Sequence, residues 1–499
     1  MMLRRFVFVG LAVSLSLIGC QDERRSDTTP NKLVTPIDPP TAPAALQPQA
    51  PPAAQLSLAV DLSNAVVPAD KASEVLVRVR VKGLALVEEK RPALSLALVI
   101  DTSGSMEGAA IERAREACQT LVDSLQDGDR VAIVTFGTSA RSVVAAQTIT
   151  SKVREDAKKA IREIRAEGTT NLAGGLSLGV SELQKIMSQG GINRVVLVGD
   201  GVPNDATQLP AIAANARALN VPITTLGLGA DFDETVMTQI AQTSGGTFHF
   251  IDDASRVAGV FKEEIAKMTR VVARGTSVDI TPGPGVSILE VLGAPASAIT
   301  RGSRVTLGDM SEGQTRDIVV RLSVQPTKDG GSVELLDSLL TYQHGLRHVP
   351  MTENIFRSTK ASKDEGVLSE GRNPEIELQS ARLRVAQNII NAIAMARAGD
   401  PKGARALLDE TARFATKEAK RLSDSELEKK ATEALLLKKT VAGLAPLPQP
   451  GLVAHAGHPG QPHPLPAPVA AAPRMSAEDA MSIRRSHASA MGEIQSTTR

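Results

Sequence analysis

Hydrophobic and polar positions divide the chain into stretches of different period. From residue 56 to 86 they alternate (LSLAVDLSNAVV, then EVLVRVRV), the period of a strand with one buried face. The same alternation returns between 271 and 350 in SVDITP, VSILEVL, RVTLGDM, TRDIVVRLSV and SVELLDSLLTY. Between these segments the pattern changes. Residues 94–100 form one continuous apolar run, as expected of a parallel strand buried on both faces. Helical spacing follows at 109–125. Strands are then predicted at 130–136, 141–146 (an edge strand), 194–198, 221–228 and 247–251, and helices at 151–165, 173–187, 208–219, 233–243 and 255–268. Such alternation predicts an α/β fold, a doubly wound, mostly parallel sheet with helices on both faces. Neither flanking segment makes a complete domain alone. Together, 56–92 and 271–355 predict an antiparallel β-sandwich into which the α/β domain, 93–270, is inserted.

Residues 373–444 read as helical, with Pro374 at a helix start. The stretch AIAMARAGDPKGARALLDE, broken at Gly399-Asp400-Pro401, resembles one and a half tetratricopeptide-type hairpins. Such repeats need about three units to stand alone, so these helices are expected to cap the sandwich. Residues 445–499, rich in Pro, Ala and His, are expected to be a disordered tail; 476–491 could become helical on contact with a partner. His455, His458 and His463 lie in that tail and would bind a metal only weakly.

The N-terminus is an address. Arg4 and Arg5 precede a short apolar run, 6–18, too short for the roughly 20 residues that span a bilayer. It ends in Leu17-Ile18-Gly19-Cys20, which resembles the lipobox of bacterial lipoproteins. The resemblance implies a signal peptide, 1–20, cleaved before Cys20, with Cys20 acylated as a lipid anchor in the cell envelope. Gln21 follows the cysteine and Asp22 comes second, which favours the outer membrane over the inner. Residues 21–55, rich in Pro, Ala, Gln and Thr, read as a tether.

Composition narrows the choices. At 499 residues the chain has room for two or three domains of about 150 residues each. Lys and Arg number 56 against 55 Asp and Glu, a balance that points to no nucleic-acid partner. Aromatic residues are only 2%, so base-stacking platforms and aromatic sugar-binding faces are not expected, and the core must be aliphatic. Besides Cys20 there is one cysteine, Cys118, at a core position of the helix 109–125.

Candidate chemistry collects at the carboxyl ends of the strands, where open α/β sheets bind ligands. Asp101-Thr102-Ser103-Gly104-Ser105-Met106 follows the first strand, Gly168-Thr169-Thr170-Asn171 precedes a helix, and Gly199-Asp200-Gly201 follows the strand VVLV. Two carboxylates and three hydroxyls make an oxygen-only donor set suited to a hard divalent cation. DTSGSM resembles the DxSxS motif of von Willebrand factor A domains, the fold of integrin I domains, and the likeness extends through DRVAIVTF to SGGTFHFIDD. It implies a metal-ion-dependent adhesion site at Asp101, Ser103, Ser105, Thr170 and Asp200, holding Mg²⁺ (or Mn²⁺), with an open position for an Asp or Glu of a protein partner. Gly199 stands where that family more often has Thr. A cation-dependent binding protein without enzymatic activity or a small-molecule substrate is therefore expected. An envelope scaffold whose metal only stabilises the fold is the alternative. A partner subunit for an ATPase fits poorly with an exported chain. The G-x-S-x-G match at Gly175-Leu176-Ser177-Leu178-Gly179 lies inside a helical pattern, whereas a nucleophile elbow needs a strand just before the serine.

Overall fold

The computed structural model describes residues 53–85, 92–188, 191–199, 203–228, 232–251, 254–345, 347–443 and 476–495. The segment around Cys20, most of the expected tether, Asp200 and the three tail histidines lie outside the described residues.

Every residue of the strand β4 (Leu94–Asp101, LSLALVID) is buried, because this strand occupies the middle of a sheet covered on both faces. Around it run β5 (Arg130–Phe136), β6 (Ala140–Thr148), β7 (Ile192–Gly199), β8 (Ile223–Leu228) and β9 (Phe248–Ile251), in the order β6-β5-β4-β7-β8-β9. All neighbours are parallel except the edge strand β6, which pairs antiparallel with β5. The helices are α1 (Ala109–Ser124), α2 (Ser151–Glu163), α3 (Leu172–Ile186), α4 (Leu209–Ala218), α5 (Glu234–Ser244) and α6 (Ala254–Thr269). The α/β fold expected from the pattern is the one observed. Separate cores fill its two faces, an aliphatic one holding Cys118 of α1 and another in which Leu176 of α3 is joined by Phe136, Phe232 and Phe248. Burial pushes the Cys118 thiol up to about 12, so it stays a neutral core residue.

Close packing explains the glycines of α3. A Cβ on Gly175 would lie 2.5 Å from the Phe136 ring, and one on Gly179 would lie 2.3 Å from Val99 Cγ2. Ser177 between them is exposed within a helix rather than at a strand-to-helix turn.

The flanking strands are β1 (Leu56–Leu62), β2 (Val66–Pro68), β3 (Ser73–Gly83), β10 (Val271–Pro282), β11 (Val286–Leu292), β12 (Ala296–Ile299), β13 (Gly302–Ser311), β14 (Thr315–Val324), β15 (Ser332–His344) and β16 (Pro350–Ser362). They form two sheets, β1-β3-β14-β11 and β12-β13-β10-β15-β16-β2, that share one core. Alternation does the sorting on β3. Val75, Val77, Val79 and Val81 point inward, while Arg80 on the other face makes two bonds of 2.7 Å to the carboxylate of Asp317. The α/β domain leaves this sandwich after β3 and returns to it at β10. The final strand, β16, runs past residue 355 to Ser362.

The helices that follow are α7 (Glu365–Glu370), α8 (Pro374–Arg397), α9 (Pro401–Leu422), α10 (Ser425–Thr440) and α11 (Ala477–Gln495). Asn373, Asp400 and Asp424 cap α8, α9 and α10 by accepting backbone N–H bonds. Leu383 and Ala386 of α8 share a core with Leu292 and Val319 of the sandwich. Two differences from expectation stand out. The helical region also reaches the α/β domain, where Ile390 of α8 joins the core beneath α3 and α5. Residues 477–495, expected to belong to a disordered tail, form α11, with Ile483, Arg484, His487, Ala490, Met491 and Ile494 buried. The partner that orders this helix is the chain itself.

Candidate functional site

The sheet order changes direction at β4. The chain adds β5 and β6 on one side, then returns to add β7 on the other, which leaves a crevice beyond the carboxyl ends of β4 and β7. Asp101 ends β4 and is 1% exposed. Its Oδ1 accepts the N–H of Ser103 at 2.8 Å, which draws the loop into a tight turn. A short 3₁₀ turn, Gly104–Met106, continues it, and the buried Met106 side chain fills the space beneath. The hydroxyls of Ser103 and Ser105 end 3.0 Å apart.

Backbone bonds tie this loop to its neighbours. The N–H and hydroxyl of Thr102 both donate to the Phe136 carbonyl, at 2.7 and 2.9 Å. Gly104 N–H donates to Gly168 O at 3.0 Å, and Glu167 N–H donates to Thr102 O at 2.6 Å. Gly168 holds φ +83°, and a Cβ there would meet Thr138 Oγ1 at 2.4 Å, so only glycine fits this crossing. Thr170 follows, buried, while Thr169 is exposed. The Thr170 carbonyl accepts Asn204 N–H at 3.1 Å, linking this loop to the segment after β7. Gly199 ends β7 against Asp101: a Cβ there would lie 3.0 Å from the Asp101 Cβ and 3.1 Å from its Oδ2. The residue that the family resemblance would replace by Thr is thus a contact point with the first carboxylate. Asp200 is the next residue along.

The described part of the site therefore gathers one buried carboxylate, two hydroxyls in contact and a buried threonine on a loop bonded to theirs. Its donors are oxygens only. Among the described residues no group of three or more His, Cys, Asp and Glu gathers, so hydroxyl donors define this candidate. The DTSGSM motif marked Asp101, Ser103 and Ser105, but the ties through Thr102 and Gly168 could not be read in advance. Gly168 left one signal, a glycine just before the threonines.

A second cluster of charge went unnoticed in the sequence. Glu234, fully buried at the start of α5, accepts two bonds from the Arg397 guanidinium of α8, at 3.1 and 3.0 Å. Arg484 of α11 donates to the Phe232 carbonyl at 2.8 Å and lies over the Phe232 ring. Burial alone would raise the Glu234 carboxyl, but Arg397, His487 and Arg484 outweigh it and hold it below the usual carboxylate range. This cluster binds three parts of the fold together and is closed to solvent.

Comparison with known proteins agrees with the architecture. Residues 95–263 match the family model of the von Willebrand factor type A domain. The chain carries such a domain between the two halves of its sandwich. The Escherichia coli (strain K12) protein YfbK, uncharacterized, is 31% identical over 202 residues, 39% of this chain and 35% of that protein. The uncharacterized Synechocystis protein sll0103 is 26% identical over 372 residues, 69% of this chain and 83% of that protein. The chain thus spans about a third of the length of the first relative and most of the second. Among solved structures, a von Willebrand factor type A protein from Catenulispora acidiphila superposes with TM-score 0.61 at 18% identity, over 77% of this chain and 96% of that one. The ArnB paralog VWA2 from Sulfolobus acidocaldarius superposes with TM-score 0.50 at 17% identity, over 78% and 98%. These structural likenesses concern the fold, and they take in more of the chain than its α/β domain.

Proposed function

We propose that this protein is a divalent-cation-dependent protein-binding module, held to the cell envelope by a lipid on Cys20. The observation that carries the reading is the turn after β4, where the Ser103 and Ser105 hydroxyls meet at 3.0 Å beside the buried carboxylate of Asp101. Oxygen donors of this type suit Mg²⁺, or Mn²⁺, and the residues that would hold it are Asp101, Ser103, Ser105, Thr170 and Asp200. The cation, when bound, supplies an electrophilic centre to which a carboxylate of another protein adds. The chain's own residues do the rest. The Ser103 N–H holds Asp101 in one orientation, Thr102 anchors the loop to β5, and Gly168 brings the Thr170 loop alongside. The partner group is the side chain of an Asp or Glu. Among the described residues no helix is long and apolar enough to cross a membrane.

The scaffold alternative draws support from one observation. The α/β domain is bound to the rest by buried ion pairs, Arg397 with Glu234 and Arg194 with Asp309 at 2.9 Å, as expected of a rigid structural piece. One experiment separates the two. Residues 52 onward, the compact unit, serve as bait in envelope extract with Mg²⁺, with EDTA, and as Asp101→Ala. An adhesion module retains proteins only as wild type with Mg²⁺ and keeps its fold in all three lanes. Identical retention in the three lanes would remove the metal-dependent reading. A scaffold would lose thermal stability in EDTA and keep its contacts.

A further inference from the structure

We infer that the open edge of β9 is a docking groove for an extended, acidic peptide segment of another protein, separate from the Asp101 loops. The von Willebrand A-type sheet ends at β9, which pairs with β8 on one side and, among the described residues, has no strand on the other. An unpaired strand edge offers a row of N–H and C=O groups to a further strand. Here Thr247, Phe248, His249 and Phe250 line a cleft of about 460 Å³. Its walls come from both faces of the sheet: Ile251 joins the core that includes Met268 of α6, and Phe248 joins the opposite core with Met491 of α11. Gln314 and Arg316 of the sandwich line the cleft as well, so three parts of the fold meet there.

Charge selects the occupant. Lys267, Arg316 and Arg485 all line the cleft, against Glu263 on the same lining. Lys267 pairs with Glu264 at 3.0 Å but remains half exposed. Arg316 is the informative one. Its Nη1 donates to the Gln495 carbonyl at 2.5 Å, its Nε is shut from solvent without a hydrogen-bond partner, and among the described residues no carboxylate lies within ion-pair distance of it. Burial lowers its pKa to about 10, partly offset by Glu264, so the guanidinium keeps its charge at neutral pH. A desolvated guanidinium bonded to one neutral carbonyl is costly, and a carboxylate is the group that satisfies it best. The cleft thus offers a strand edge for a backbone and cations for an acidic side chain. The half-exposed Lys267 makes it accessible.

The test uses the full chain in EDTA, so that the Asp101 loops contribute nothing. The probe is a fluorescein-labelled Thr-Val-Thr-Val-Glu-Glu peptide, followed by anisotropy. Saturable binding is expected, weakened at least tenfold by Lys267→Gln and by Arg316→Gln, a loss of about 1.4 kcal/mol. The same peptide N-methylated at alternate residues keeps its charge and loses its strand hydrogen bonds, and it too should weaken at least tenfold. Replacing Glu-Glu by Lys-Lys should abolish binding. Amide hydrogen exchange at 247–251 should slow when the acidic peptide is present. The inference is overturned by no saturable binding up to about 1 mM peptide, by equal binding of the N-methylated probe, or by indifference to Lys267→Gln, whose fold is checked by its melting curve because Lys267 pairs with the buried Glu264.

Discussion

The loops around Asp101 and the junction around Glu234 both bury a carboxylate beside the sheet, yet they use it in opposite ways. Asp101 accepts a backbone N–H from two residues away, and the nearby Ser105 is exposed. The loops are held to one another by backbone bonds, with the exposed Ser105 beside the buried Ser103. Glu234 spends both oxygens on a guanidinium 163 residues away, and nothing faces solvent. An open site needs rigidity without saturating its donors. A clamp needs saturation, because a buried charge left unpaired is costly. The first arrangement is built for a ligand and the second for cohesion.

The sharpest way to break this contrast is Glu234→Ala. It strands Arg397, one-tenth exposed, and removes the carboxylate 3.9 Å from Arg484 Nε. Losing one partner of a buried pair costs about 3–5 kcal/mol. Urea unfolding should show a loss of that size, with α11 the first element to exchange its amides. Part of the loss should return in Glu234→Leu with Arg397→Met, where no charge is left behind. A cost no larger than the ~0.5 kcal/mol typical of a surface substitution would mean that the junction is not a clamp.

A somewhat smaller effect is expected from pH, and it isolates His487. Its ring is fully buried, edge-on to Phe248 at 5.6 Å, and neither nitrogen has a hydrogen-bond partner among the described residues. Burial, with Glu234 opposing and Arg397 reinforcing it, pulls the pKa down from 6.5 to about 4. Asp233, its own carboxyl raised by burial, and Arg484 are the other charged groups at this junction. Since the folded pKa lies below the unfolded one, the unfolded state binds the extra proton between about pH 6.5 and 4. Stability is therefore complete above pH 6.5 and falls as the pH drops through that window, by about 3 kcal/mol in all. Melting curves from pH 7 to 4 should slope less for His487→Gln than for the wild type. Parallel slopes would show that the imidazole titrates freely and that the helix is not shut down over it.

What could be read in advance divides along the same line. The eight buried residues of β4 and the alternating valines of β3 follow the period of their own strands, so the pattern betrays them. Asp101, Ser103 and Ser105 lie within five residues of one another, and Thr170 could be chosen over Thr169 before its burial was known. The exclusions are of another kind. α11 carries Arg484, Ser486 and His487 on faces that the fold buries, while the Pro-, Ala- and His-rich composition before it reads as a disordered tail. They are buried because Glu234, Phe232 and Phe248, distant in sequence, receive them. Partners at such separation leave no local trace, and a helix whose inward face is charged looks like a tail.

The smallest expected effect on stability is at Ser105, where it sharpens the contrast from the other side. Ser105 is exposed, and its hydroxyl lies 3.0 Å from that of Ser103. Ser105→Ala removes one oxygen without opening a cavity or stranding a buried charge, so in EDTA its unfolding free energy should stay within about 0.5 kcal/mol of the wild type. If Ser105 is a metal ligand, adding Mg²⁺ should raise the melting temperature of the wild type by mass action and that of the variant much less. A variant that loses stability in EDTA would mean that the hydroxyl pair works as a structural bond, like Glu234 with Arg397. Equal Mg²⁺ shifts in both proteins would take Ser105 out of the donor set and leave the Asp101 turn as a fold element only.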